Sequence, residues 1–232
     1  MEGTEVRKLA ALEDAHWWYR ERRHLLAKAI SGMPPGRALD VGAAGGGNTR
    51  VLRRHGWEAV ALEYGAEGAE VAHGRGLATV RADATSLPLA DDSLDLVVAF
   101  DVLEHLVADD AAVREVHRVL RPGGTYLVAV PADPRLWSSH DEAVDHVRRY
   151  TRTTLLGLLE RGGFEIVDAM SWNVLLRPVV ALRRRMRNGG SDLEDLHPVV
   201  NLGLRGIITA ERYLPVKQLP GVSLFVRAQP RR

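Results

Sequence analysis

Residues Ala38 to Gly47 read ALDVGAAGGG, an apolar run that admits one acid, Asp40, and then dissolves into alanine and glycine. Such a run is a buried strand, and the small residues after it form a turn whose backbone a ligand can approach with no side chain in the way. A second apolar run, AVALE at Ala59 to Glu63, ends in a carboxylate. An acid at the end of the next strand can accept hydrogen bonds from both hydroxyls of a ribose. Together the two stretches point to a nucleoside-containing ligand, and dinucleotides and S-adenosylmethionine both answer to it.

Upstream of this turn, residues 6–31 carry Leu9, Leu12, Trp17, Leu25, Leu26 and Ile30 at helical spacing and stop at Gly32 and Pro34-Pro35-Gly36, which predicts a leading helical arm. Downstream the periodicity alternates. Strands are expected at 38–41, 58–62, 78–82, 94–100, 125–130, 164–170 and 222–228, and helices at 48–55, 66–75, 109–120 and 153–161. Arg121-Pro122-Gly123-Gly124 reads as turn chemistry that stops a helix and starts a strand. Two further helices, near 175–186 and 198–213, flank Asn188-Gly189-Gly190-Ser191 and form an insertion before the last strand. The alternation predicts a doubly wound α/β fold with a mostly parallel seven-stranded sheet covered on both faces. We expect one domain: an arm (1–36), a ligand-binding core (37–170), a helical lid or interface (171–221), and a last strand with its tail (222–232).

Thirty-one basic and thirty acidic side chains leave a formal charge of +1 on 232 residues, so no global field favours nucleic acid or an anionic membrane. The absence of cysteine excludes disulfides, thiolate nucleophiles and Cys-ligated zinc. No signal peptide and no membrane-spanning run is legible, which predicts a cytoplasmic protein. The basic end at Arg183-Arg184-Arg185 and Arg187, after Val179 to Leu182, reads as a solvated helix end or as a contact with a membrane or a lipid-linked substrate. Oligomeric state is open between monomer and homodimer.

These stretches, with LDLVVAFDVLEHL (Leu94 to Leu106) and REVHRVLRPGG (Arg114 to Gly124), resemble the class I S-adenosylmethionine-dependent methyltransferases. HWWYRERR in the arm and HDEAVDHVRRYT (His140 to Thr151) are similar to a bacterial subgroup found near glycosyl-transfer and natural-product pathways. The resemblance implies the Rossmann-like methyltransferase fold, S-adenosylmethionine as cofactor with S-adenosylhomocysteine as product, and no metal. It implies that Asp40, Gly42 and Gly46 form the cofactor turn, Glu63 holds the ribose and Asp83 meets the adenine amine. Ala84 then offers a backbone amide to the ring, and the main chain at Phe100 and Asp101 receives the methionine ammonium. Tyr19 and Arg23 are carried over as partners of its carboxylate. One departure is Ala44 in place of a middle glycine, tolerable if its φ stays negative.

For the chemistry, His105 is the first candidate base and His140 the second, because a neutral imidazole suits proton removal from a hydroxyl or amine. His105 also reads as a residue that caps or packs its loop. Tyr150 is a candidate substrate partner, and Arg148-Arg149 either pair with Asp145 or hold an anionic acceptor. The two imidazoles and three carboxylates of His140 to His146 could ligate a divalent ion, but substrate shaping is the preferred reading. The aromatic cluster Trp17-Trp18-Tyr19 is either a core seam or a lid. The expected activity is methylation of an oxygen, nitrogen or carbon atom of a small metabolite in natural-product or glycoconjugate metabolism, without nucleic acid. The alternatives are a peptide methyltransferase, a nicotinamide-dependent oxidoreductase and a non-catalytic binding module. The second needs a G-x-G-x-x-G turn, which Gly42, Ala44 and Gly47 do not present.

Overall fold

The computed structural model describes residues 12–186 and 197–231. Asn188 to Ser191 and Arg187 lie outside the described residues, as does the start of the arm.

Seven strands form one sheet: β1 (Arg37–Val41), β2 (Glu58–Glu63), β3 (Thr79–Arg81), β4 (Leu94–Phe100), β5 (Leu120–Pro131), β6 (Phe164–Trp172) and β7 (Ser223–Pro230). Their order is β3-β2-β1-β4-β5-β7-β6, with β1 to β5 parallel and β7 antiparallel to both its neighbours. The strand order reverses between β1 and β4, the place where an open α/β sheet leaves a crevice at its carboxyl edge. Register aligns that edge: Val41 lies opposite both Leu62 and Ala99, so Gly42, Glu63 and Phe100 emerge at one level.

The helices are α1 (Trp17–Ile30), α2 (Gly47–Arg54), α3 (Ala66–Gly74), α4 (Asp109–Val119), α5 (Ser139–Ala143), α6 (Arg152–Arg161), α7 (Arg177–Met186) and α8 (Pro198–Glu211). Both faces of the sheet are covered, and the alternation of β4 and β5 shows how. Val97, Ala99, Tyr126 and Val128 pack with Val113 and Val116 of α4 and Leu155 and Leu159 of α6. Leu96, Val98, Phe100, Leu127 and Ala129 pack with Leu26 and Ile30 of α1, Leu52 of α2 and Ile208 of α8. A strand buried on both sides reads as a continuous apolar run, which is why β4 was legible residue for residue.

Two boundaries differ from the sequence expectation. Among the described residues the arm is helical at Leu12, turns over 13–15, and is helical again from Trp17, where the His16 imidazole accepts from the Trp18 N–H and caps the helix (3.3 Å). Just before the cap, Glu13 is drawn into ion pairs with Arg50 and Arg75, which turns the chain. The second difference is in β5. Leu120 already pairs with Leu94, Arg121 to Gly124 bulge out, and pairing resumes at Thr125 opposite Leu96. The Arg121-Pro122-Gly123-Gly124 turn therefore lies inside the strand, with Gly123 at φ +81°.

Candidate active site

The turn after β1 is built around two buried or half-buried acids. Asp40 faces α2, is 1% exposed, and accepts from the Thr49 hydroxyl through Oδ2 (2.6 Å), whereas its Oδ1 is buried with no hydrogen-bond partner. Burial pushes this carboxyl up to about 7, with Thr49 pulling the other way. At the end of β2, Glu63 accepts from the Ala44 N–H, and burial raises its carboxyl as well. The chain takes left-handed conformations at Gly42 (φ +64°), Ala44 (φ +47°) and Gly46 (φ +79°). The condition set for Ala44, a negative φ, is therefore not met. Alanine holds a conformation that costs an L-residue about 1–2 kcal/mol, fixed by the bond from its amide to Glu63.

A clamp from outside the turn keeps it in place. Arg75 donates to the Gly45 carbonyl and pairs with Glu13, and a Cβ at Gly47 would lie 2.5 Å from Glu13 Oε2. Asp83, just beyond β3, is exposed and accepts from the Thr85 N–H (2.8 Å) and hydroxyl (2.7 Å), an Asx turn that fixes the carboxylate at the strand end. Ala84 packs on the core beside it. Two acceptors stand at this turn: Asp40 has a bare oxygen, and Glu63 is an acceptor-only group when ionised. S-Adenosylmethionine brings an ammonium and two ribose hydroxyls, whereas a pyrophosphate brings only acceptors and negative charge. The residues present fit S-adenosylmethionine.

The arm reaches the site through a residue the sequence reading passed over. Arg22 is 4% exposed, bonds Asp101 Oδ2 at 2.6 Å, and lies 4.8 Å from the Trp18 ring centroid, 4.9 Å from Phe100 and 5.7 Å from Trp172. Asp101 itself stands at φ +57° just past β4, its N–H bonded to Ala129 O. Arg23, the expected carboxylate partner, instead donates to the Glu13 carbonyl (2.5 Å) at the outer side of the turn. Tyr19 stacks edge-on against Trp18 at 5.0 Å. The helical spacing held the clue, since Arg22 is four residues from Trp18 and shares its face. Asn201 of α8 accepts from the Trp17 N–H (2.9 Å) and donates to Ala15 O (3.1 Å), and Arg212 pairs with Glu21, so the insertion and the arm are joined.

The far end of the crevice is formed by the short 3-10 turn Leu103–His105 and the HDEAVDHVRRY segment folded around it. Asp141, fully buried, is the hub: it accepts from the Ser138 N–H (3.0 Å), His146 Nδ1 (2.8 Å) and Arg149 Nε (2.7 Å). These partners hold its carboxyl well below the usual range against the penalty of burial. His105 is half-buried, with Nδ1 3.2 Å from the Asp145 carbonyl and its ring 4.8 Å from that of His146. Burial, then the neighbouring His146, lowers its pKa. His140, in the first turn of α5, stands perpendicular to His146 at 6.2 Å. Glu104 is completely buried, neither carboxylate oxygen has a partner, and burial followed by Asp101 drives its pKa well up.

Two expectations are corrected here. Tyr150 is 3% exposed and its hydroxyl is shared between Asp109 Oδ2 (2.7 Å) and Leu103 O (3.1 Å), so it is an internal strut and not a surface for substrate. Arg148 pairs with Asp109 (2.8 Å) and Arg149 with Asp141 (2.7 Å), so acids other than Asp145 tie both guanidinium groups into the fold. Arg184 likewise turns inward to Leu136 O (2.8 Å). Among the described residues no helix is long and apolar enough to cross a membrane.

The family described as "Methyltransferase domain" matches residues 39–128, the segment from β1 to β5. A Mycolicibacterium smegmatis protein named as a probable S-adenosylmethionine-dependent methyltransferase is 30% identical over 198 residues, covering 82% of this chain and 75% of its own. The fold is shared with a putative methyltransferase solved in complex with the Haloferax volcanii Trm112 activator (TM-score 0.66, 19% identity, 99% of this chain and 95% of that one). It is also shared with Haemonchus contortus phosphoethanolamine N-methyltransferase 2, solved in complex with S-adenosyl-L-methionine (TM-score 0.63, 18% identity, 91% of this chain and 53% of that one). The acceptors at the β1/β4 switch point, the matched domain and the Mycolicibacterium smegmatis relative agree: the chain belongs to the class I S-adenosylmethionine-dependent methyltransferases, and S-adenosylmethionine is its cofactor.

Proposed function

We propose that the chain methylates an oxygen, nitrogen or carbon atom of a small metabolite in natural-product or glycoconjugate metabolism, with the acceptor seated between the β4 end and the arm. The observation that carries this is the roof made by α1 and α8 over the strand ends, joined through Asn201 and anchored through Arg22 to Asp101. A roofed crevice on a chain of net charge +1 favours a small acceptor over a polyanionic helix. The cofactor supplies an electrophilic methyl on a sulfonium, and in-line displacement asks the protein to align, to exclude water and to handle one proton.

In this reading Glu63 binds the ribose, Asp83 and the Ala84 amide meet the adenine, and Gly42 and Gly46 supply the left-handed bends of the turn, packed under Val102 and Leu77. The main chain at Phe100 and Asp101, with the bare oxygen of Asp40, receives the ammonium, while Tyr19 closes the carboxylate end. His105 serves the acceptor's proton and His140 stands behind it. The test is release of S-adenosylhomocysteine across a panel of sugars, phenols, amines, a peptide library and RNA. Small molecules alone should give turnover, and Glu63→Ala should weaken S-adenosylmethionine about 10–100-fold by calorimetry. Turnover confined to peptide or RNA overturns the acceptor class, and unchanged cofactor affinity in Glu63→Ala overturns the site.

A further inference from the structure

We propose that Glu104, His105 and His146 bind one divalent transition-metal cation at the end of β4, and that the acceptor meets this cation through an oxygen nucleophile. The inference rests on the acceptor position proposed above and narrows the methylated atom to oxygen. It departs from the sequence expectation of no metal, which weighed His140 to His146 alone, whereas the fold brings His146 to a glutamate and a histidine some forty residues earlier.

Three features carry it. The first is placement: each of the three side chains offers a ligand atom, and these atoms all lie within 4.8 Å of one another. Ligands of a single cation with bonds near 2.1 Å stand about 3.0–3.4 Å apart, so a side-chain contraction of about an ångström closes the site. The second is the state of the imidazoles. A carbonyl can only accept, so the Asp145 oxygen fixes the proton of His105 on Nδ1 and leaves Nε2 with its lone pair. The Asp141 carboxylate, held by Arg149, does the same for His146, whose Nε2 faces Glu104 Oε1 at 3.8 Å. An imidazole oriented by a carboxylate or carbonyl on its far nitrogen is the usual arrangement of a ligating histidine.

The third feature is Glu104. A completely buried carboxyl whose two oxygens have no partner is expensive to keep, and the 3.8 Å gap to His146 is too long for a hydrogen bond. A cation shared by the two explains both. Two imidazoles and one carboxylate suit zinc, iron or manganese better than the all-oxygen preference of calcium or magnesium, and three protein ligands leave positions open for the acceptor. With Nε2 on the cation, His105 would no longer be the base of the reading above, and the acceptor O–H would give its proton to solvent on meeting the cation. The oxygen electron pair then forms the O–CH3 bond, and the C–S pair returns to sulfur, leaving S-adenosylhomocysteine.

The test is calorimetric titration of the chelator-treated full chain with ZnCl2 and with MnCl2, with metal content measured after dialysis. One equivalent should bind the native chain, and Glu104→Gln and His146→Asn should each weaken it about 100-fold. Glu104→Gln replaces an unpartnered buried carboxyl with a neutral group of the same shape, so its metal-free Tm should hold, which separates lost ligation from lost fold. Absence of stoichiometric binding of either metal, or equal binding by both variants, overturns the site. S-Adenosylmethionine titrated in EDTA keeps the two readings apart: cofactor bound without metal affinity sinks this inference alone, and metal bound without cofactor affinity sinks the cofactor site instead.

Discussion

Replacing Asp40 with asparagine should make the cofactor-free protein more stable at neutral pH, and the size of the gain should depend on pH. The carboxyl is 1% exposed and titrates near about 7 in place of its ordinary 3.8, because burial disfavours the charged form more than Thr49 favours it. A raised acid pKa means that the native state holds its proton more tightly than the unfolded chain. Its contribution to stability is present below pH 3.8 and is lost as pH climbs through about 7. At 1.36 kcal/mol per unit, the gap of about three units amounts to an upper bound of about 4 kcal/mol. Asparagine is neutral throughout and keeps an oxygen for the Thr49 hydroxyl. The stability of Asp40→Asn relative to the native protein should therefore grow steadily from pH 5 to pH 7 and then level off. Urea denaturation at pH 5, 6, 7 and 8 without cofactor measures it. A gap that stays constant across that range would refute the account of Asp40 as a buried, cofactor-awaiting acid. The same samples with S-adenosylmethionine should show the native protein gaining more from ligand than the variant does.

Two further outcomes follow from the geometry. Arg22→Ala removes the pair with Asp101 and the contacts with Trp18, Phe100 and Trp172, and should cost about 3 kcal/mol. Arg22→Lys should recover less than half of that in thermal unfolding, since an ammonium restores the charge but not the planar stack. Ala44→Gly relieves a left-handed alanine at φ +47° and should gain about 0.5–1 kcal/mol, read as a Tm rise of about 2 °C, net of the extra freedom glycine has when unfolded. A fall in Tm would mean that the methyl packs usefully at the turn.

The sheet was legible because buried parallel strands are written as apolar runs, and β1, β2 and β4 fall within a residue of their expected bounds. The cofactor turn and Glu63 were legible for a similar reason: they are local in sequence, and strand register alone brings them level. What could not be read depended on distant partners. The arm was expected to be helical over about 6–31, and its turn at 13–15 could not be read because Glu13 meets Arg50 and Arg75 only after the fold brings them together. Arg22 and Arg23 are equivalent as letters, and only the face that Trp18 turns toward Phe100 and Trp172 separates them. The acids of His140 to His146 read as shaping the substrate site, since nothing local shows that Asp141 has zero exposure and three cationic or imidazole partners. Tyr150 misled for the same reason: its hydroxyl finds Asp109, forty-one residues earlier in the chain.

The position of β7 bears on how the protein is made. It lies between β5 and β6 and bonds to both, although it is the last of the seven strands in the chain. During synthesis β1 to β5 can associate as they leave the ribosome, but β6 has no neighbour to pair with until residues 223–230 follow it out. Until then β6 and the open edge of β5 are two unpaired strand edges on a half-finished sheet. That interval is when the nascent chain is most exposed to mispairing with another molecule, and when a chaperone would find it.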